Sequence, residues 1–272
     1  MRLRSLVQDA LYLTWALPAA ALPEPPEPLR YQTLEGQDGE PRAFASAILF
    51  RQTGLHMPHL PVVRFTYPQL NLRLYALDAD RVPSVLFLDM LMPWWVGPAV
   101  RLVGEGPASV ARFDYPRPSR EPDAGEWHWR VRQGGVLEVT ARRCAPPGGG
   151  ALGSWQETVR FFRERPRGYM VSNGRLRRVE TEHPRVEVWP MAVELGERSL
   201  LDAILPLGGT EGGAGEGWAA PHSAWLCPEV PFVFDLAVVP QVDLEATLPR
   251  AAASTRSATC SRSTSARALS LL

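Results

Sequence analysis

The 272-residue chain contains no lysine, so all 29 of its basic side chains are arginine. A guanidinium stays protonated and cannot condense with a carbonyl carbon, so imine-forming catalysis is closed to this chain. Cysteine is nearly as scarce. Cys144, Cys227 and Cys260 lie far apart with no Cys-x-x-Cys pair, a spacing that fits neither a disulfide framework nor a zinc ribbon and predicts reduced thiols in a cytoplasmic protein. Net charge is lacking as well: 29 acidic residues balance 29 basic ones. That removes the broad electrostatic grip needed for nucleic acid or an anionic membrane surface. No apolar run reaches the roughly 18 residues of a membrane-spanning helix. The stretch Pro146-Pro147-Gly148-Gly149-Gly150 lacks the Gly-Lys-Ser/Thr ending of a phosphate cradle, so no nucleotide cofactor is expected. His56 and His59 form a His-x-x-His pair, but Pro58 forbids a regular helix there and no third ligand is apparent, so no metal is expected.

What is present is enough apolar residue, 45%, for a sizeable core. At the N-terminus, Met-Arg-Leu-Arg before the apolar Leu11–Leu22 imitates a secretory signal, yet Gln8, Asp9 and Pro18 interrupt it. The segment reads instead as an amphipathic first helix with Leu3, Leu6, Val7, Ala10, Leu11 and Thr14 on one side. Four prolines between Leu22 and Leu29 then make an extended surface crossing, and Ala43–Arg51 reads as a strand with Phe44, Ile48 and Phe50 facing one way.

The most informative stretch runs from Arg64 to Met92. Between residues 67 and 75 the odd positions are Tyr67, Gln69, Asn71, Arg73 and Tyr75, and the even ones are Pro68, Leu70, Leu72 and Leu74, the period of two that marks a strand. The chain turns through Asp78–Arg81 and returns as Val82–Met92. A symmetric hairpin would set Asp89 beside Asn71 and diagonal to Gln69 and Arg73. Asp89 lies within an apolar run, so it needs a partner or bears a desolvation cost. An Arg73–Asp89 pair could brace the hairpin or belong to a pocket, and both readings stand.

Beyond Pro93-Trp94-Trp95, a short helix is expected through Leu102 and Val103. β signals then dominate: Ser109–Tyr115, Glu126–Gln133 and Val136–Arg143, with Trp127, Trp129 and Val131 inward and His128 outward. Ser154-Trp-Gln-Glu157 is a capping box that opens a helix carrying Trp155, Val159 and Phe162 on one face. Asn173-Gly174 marks a tight hairpin. A strand is expected over Arg185–Glu194 and a short helix over Arg198–Leu205, and a last strand pair ends near Val239. From Gln241 to Leu272 the composition shifts to Ser, Thr, Ala and Arg, a low-complexity tail that reads as disordered or as a reading-frame artefact. One domain over residues 1–240 and a tail over 241–272 is the expected organisation.

These residues resemble the DUF2071 (YqjF-like) family, which belongs with the acetoacetate decarboxylase-like fold. The likeness is carried by Tyr67-Pro68-Gln69-Leu70-Asn71-Leu72-Arg73-Leu74-Tyr75, by Leu88-Asp89, by Glu164-Arg165, Gly174-Arg175-Leu176 and His183-Pro184, and by Pro221-His222-Ser223. It implies a mainly β (α+β) architecture: an antiparallel cone-like β-barrel with a few peripheral helices and a central cavity. Acetoacetate decarboxylases use a lysine nucleophile, which this chain lacks. Gln69 stands where the family's segment has glutamate, which removes an expected carboxylate.

The leading functional expectation is a small-molecule pocket in which Gln69, Asn71, Arg73 and Tyr75 face an anionic or carbonyl-bearing ligand, with Asp89 orienting Arg73 and with His183 and His222 as candidate proton carriers. No catalytic residue is assigned. One alternative is a lyase or hydrolase using His and Asp acid–base groups, which requires a histidine within reach of Arg73 or Asp89. The other is an interaction module whose barrel is filled by side chains.

Overall fold

The computed structural model describes residues 2–36, 38–97, 107–115, 125–147, 152–172, 174–207, 218 and 220–235. Among them the chain is mainly β. The strands are β1 (Arg2–Pro18), β2 (Arg30–Tyr31), β3 (Thr33–Glu35), β4 (Pro41–His56), β5 (Phe65–Leu77), β6 (Pro83–Met92), β7 (Ala108–Val110) and β8 (Arg112–Asp114). They continue as β9 (Glu126–Arg132), β10 (Val136–Arg143), β11 (Arg167–Ser172), β12 (Arg175–Glu182), β13 (Trp189–Leu195) and β14 (Ser223–Asp235). Two short α-helices, α1 (Trp155–Arg163) and α2 (Ser199–Ile204), accompany them.

Strand pairing runs β1–β4–β5–β6–β11–β12–β14 and returns from β14 to β1, so seven strands form a closed circuit. Closure leaves the long β1 and β4 no free edge, which removes the aggregation hazard of an exposed strand. Within the circuit only β6 and β11 pair in parallel. From β14 the hydrogen bonding continues through β13 to β10, β9 and β8.

The two faces of β1, β4 and β5 bury different partners. On one face, Leu11, Leu13, Trp15, Ala43, Ala45, Ala47, Leu70, Leu72 and Leu74 pack with Trp127, Trp129 and Val131 of β9 and Leu137 and Val139 of β10. On the other, Tyr12, Phe44, Ile48, Tyr75, Phe87, Trp225 and Cys227 meet Phe161 and Phe162 of α1. The inward alternation expected for Trp127, Trp129 and Val131 is present, and His128 faces outward beside Glu138 at 3.5 Å.

The expected first helix is instead β1, the central strand between β4 and β14. Its register shifts between Gln8 and Leu11, and Asp9 takes a φ of 53°. This bulge reverses the phase of the alternation: Val7 before it and Ala10 after it lie on the α1-facing side. Two alternating segments joined by a slip place apolar residues at spacings of three and four, which is the pattern of a helix face.

The strand expected from Arg185 starts at Trp189. Its forerunner is held differently, because Arg163 donates to the carbonyls of Pro184 and Val186, each at 2.7 Å. The capping box at Ser154 and Glu157 is formed. Ser172 pairs with Arg175 across the expected tight turn, where Gly174 has a φ of 71°. Trp94–Val96 is a single 3₁₀ turn; the rest of the helix expected there, to Val103, and the tail over 241–272 lie outside the described residues. No helix among the described residues is long and apolar enough to cross a membrane.

Candidate functional site

The odd positions of β5 do share a face, but the hairpin does not close symmetrically. Leu77 pairs with Pro83 and Arg73 with Phe87, then the register shifts so that Leu72 faces Asp89 and Asn71 faces Met90. Leu88 is the extra residue of this bulge. Since a one-residue slip exchanges the two faces of a strand, Asp89 joins the face of Leu72 and turns away from Arg73. The expected Arg73–Asp89 pair is therefore absent. Asp89 instead bonds the Ser109 side chain and accepts from the Met90 amide at 2.7 Å. Burial raises its pKa against those two bonds.

Gln69 and Asn71 satisfy each other, with Gln69 Nε2 donating to Asn71 Oδ1 at 2.6 Å. Arg73 and Tyr75 enter a larger cluster. Arg73 Nη2 donates to the Tyr75 hydroxyl at 3.2 Å and, at the long limit of 3.5 Å, to the Phe162 carbonyl at the end of α1. Its guanidinium carbon lies 5.5 Å from the Tyr12 ring centre and 5.3 Å from that of Tyr75. Arg165 covers the Tyr75 ring from 5.1 Å and donates to Gln32 Oε1 and the Phe161 carbonyl. Thus Tyr75 has one guanidinium against it from its own strand and another from the segment between α1 and β11.

No carboxylate among the described residues pairs with Arg73, Arg163 or Arg165; their partners are carbonyl, amide and hydroxyl oxygens. Glu164, between the latter two, is held by Arg185 at 2.5 Å. The Nε atoms of Arg73 and Arg165 are buried without an acceptor. Burial pushes the Arg165 pKa down to about 10, Tyr75 opposing and Arg73 adding to the shift. Arg165 and Arg73 also cap carbonyls in the last turn of α1, those of Phe161 and Phe162, a stabilising arrangement in its own right.

Behind Tyr75 lies a row of hydroxyls. Thr14 on β1 pairs with Ser223 on β14 and with Ser46 on β4, and Ser46 pairs with Arg73 on β5. Thr14 Oγ1 is 2.7 Å from Ser46 Oγ, which is 2.8 Å from the Tyr75 hydroxyl. Alongside, Tyr12 stacks on Trp225 with ring centres 3.6 Å apart. Burial pushes the Tyr12 phenol up to about 12 despite the nearby Arg73.

Neither histidine hydrogen-bonds Arg73 or Asp89. His183 is half-buried against Phe232 and bonds the Pro184 carbonyl at 3.3 Å. Burial, then Arg163 and Arg73, lower its pKa and favour neutral imidazole. His222 rests against Phe44 and Phe162, and that local desolvation lowers its pKa even though the residue as a whole is exposed. A groove of about 880 Å³ runs between α1 and residues 181–188, lined by Arg163, Arg165, His183, Trp155 and Val186.

The sequence pattern brings Arg73 and Tyr75 together and misses Tyr12, Thr14, Ser46, Arg163 and Arg165. The signal that points to the last two is Phe161-Phe162-Arg163-Glu164-Arg165 at a helix end, three charges after two aromatics.

The DUF2071 family model, described as an uncharacterized conserved protein, matches residues 5–223. The chain belongs to the DUF2071 family. No curated protein matches it. Solved structures give this DUF2071 chain its fold relatives. An acetoacetate decarboxylase-like enzyme from Sphingomonas wittichii RW1 superposes with a TM-score of 0.55 at 12% identity, over 89% of this chain and 93% of that one. The enduracididine biosynthesis enzyme MppR, complexed with the condensation product of pyruvate and imidazole 4-carboxaldehyde, gives 0.51 at 15% identity over 90% of each chain. At these identities the likeness is one of fold: this DUF2071 member has an acetoacetate decarboxylase-like architecture.

Proposed function

We propose that this protein binds a small anionic, carboxylate- or carbonyl-bearing molecule on the α1-facing side of the strand circuit, with Arg73 as its anchor. The circuit is then a cone-like barrel whose cavity opens beside α1. One observation carries the reading: Arg73 and Arg165 flank Tyr75, and neither has a carboxylate partner among the described residues. A guanidinium withdrawn from water without a counter-charge is costly, and an anionic ligand supplies that charge. The groove beside α1, which Arg163 and Arg165 line, is the route of approach. A carboxylate- and carbonyl-derived ligand in the fold relative MppR is consistent with this ligand class.

Because the chain has no lysine, the ligand is held without an imine. The acid–base alternative loses support because neither His183, which bonds the Pro184 carbonyl, nor His222, which rests on Phe44 and Phe162, hydrogen-bonds Arg73 or Asp89.

A thermal-shift screen of small carboxylates and ketones tests the proposal. A ligand at one hundred times its Kd stabilises the folded state by about 2.7 kcal/mol. For a domain of this size that raises Tm by about 5–10 °C. The expected result is a shift in the wild type and none in Arg73→Ala, with both proteins folded. Equal shifts in the two would remove Arg73 from the site.

A further inference from the structure

The α1-facing side carries several buried hydrogen-bond donors that have no acceptor among the described residues. Arg73 Nε and Arg165 Nε are buried and unpartnered, as are Trp225 Nε1 and Ser223 Oγ on the same side. The hydroxyl row adds another donor. Thr14, Ser46 and Tyr75 carry three hydroxyl hydrogens, and the two contacts that join them use two. Whichever way the links run, one hydrogen is left without an acceptor among the described residues. Tyr75 is where that surplus meets charge, since Arg73 already donates to its oxygen at 3.2 Å.

Charge follows the same imbalance. Arg73, Arg163 and Arg165 have no carboxylate partner among the described residues, and Glu164 is taken by Arg185. A single carboxylate would answer one guanidinium and leave the other on Tyr75 uncompensated. The guanidinium carbons of Arg73 and Arg165 lie 5.3 and 5.1 Å from the Tyr75 ring centre, so they are at most about 10 Å apart. A short molecule can meet both.

Resting on the reading of Arg73 as an anion anchor, we infer that the ligand is a dibasic acid, a dicarboxylate rather than a monocarboxylate or a polyol. One carboxylate pairs with Arg73 and accepts from the Tyr75 hydroxyl when Thr14 donates to Ser46 and Ser46 to Tyr75, and the second pairs with Arg165. A polyol brings a hydrogen with every oxygen and no charge to set against the guanidiniums. A dicarboxylate brings acceptors only, and two charges.

Isothermal titration of the full chain with acetate, pyruvate, malonate, succinate, glutarate and adipate decides this. In the wild type the best dicarboxylate should bind at least tenfold tighter than acetate or pyruvate, with an optimum chain length. Arg165→Gln should reduce that preference to within about threefold while monocarboxylate binding persists, and Arg165→Lys, which keeps the charge, should restore part of it. If Arg165→Gln does not fold, the wild-type series and the lysine variant still decide. Dicarboxylates no tighter than monocarboxylates in the wild type would overturn the inference and leave the Arg73 anchor standing. Unchanged binding of every acid by Arg73→Ala would instead overturn the anchor, and this inference with it.

Discussion

Replacing Asp78 by Asn should destabilise the protein by about 2 kcal/mol at neutral pH, through the junction that fixes the β5–β6 hairpin to β11. Asp78 Oδ2 accepts from Arg167 Nη1 at 2.6 Å and from the Tyr169 hydroxyl at 3.0 Å, both on β11. Its Oδ1 accepts from the amides of Val82 and Asp80 at 2.9 and 3.0 Å, closing the turn. The amide of Asn can retain the two turn bonds, but it presents a donor to Arg167 and Tyr169. A hydrogen bond to a charged group contributes about 1.5–3 kcal/mol. The lower half of that range applies, because Arg167 is 24% exposed and keeps Asp80 at 3.0 Å. About 2 kcal/mol corresponds to a Tm lower by about 4–8 °C.

The pH dependence gives the decisive signature. Burial alone would raise the Asp78 pKa, but Arg167, the Val82 amide and Tyr169 outweigh it and hold the carboxyl below its ordinary value. A depressed folded pKa contributes stability that is present above the unfolded value of about 3.9 and is lost as pH falls through the folded value. In urea melts the gap between wild type and Asp78→Asn should therefore be constant from pH 6 to 8 and should close below about pH 4. A gap under about 0.5 kcal/mol at pH 7, or one that widens in acid, would refute the assignment of the ion pair as the source.

Two further substitutions probe the hairpin and the α1 contact. Asp89→Asn should leave ligand binding at Arg73 unchanged, since the bulge at Leu88 turns Asp89 to the other face; a large loss of affinity in titrations would contradict that register. Burial raises the Asp89 pKa, so its charged form opposes folding above that pKa, and the variant should match or exceed wild-type stability at pH 7, with the difference vanishing in acid. Phe162 is fully buried against Phe44 and Tyr75, and Phe162→Ala should cost about 3–5 kcal/mol in urea unfolding. A loss under about 1 kcal/mol would mean that α1 is not packed on the Tyr75 side as described.

Two of the places where sequence and structure part, at Asp9 and at Leu88, are β-bulges, and they share a physical cause. Periodicity is read by assuming that phase is conserved along an element. At Asp9 a single inserted residue makes a strand imitate a helix; at Leu88 it carries Asp89 through the sheet. Where no phase slip intervenes, as in Tyr67–Tyr75, Glu126–Arg132 and the hairpin at Gly174, the pattern is legible and the structure follows it. The hydroxyl row was illegible for another reason. Thr14, Ser46 and Tyr75 are 32 and 29 residues apart and become neighbours only through strand pairing, which no local pattern encodes. The site is thus assembled from one legible stripe and several cross-strand partners. What the stripe alone cannot disclose is the balance of charge around it: a symmetric hairpin sets Asp89 beside Arg73, and the bulge that turns this carboxylate to the other face leaves the guanidinium with hydroxyl and carbonyl partners among the described residues.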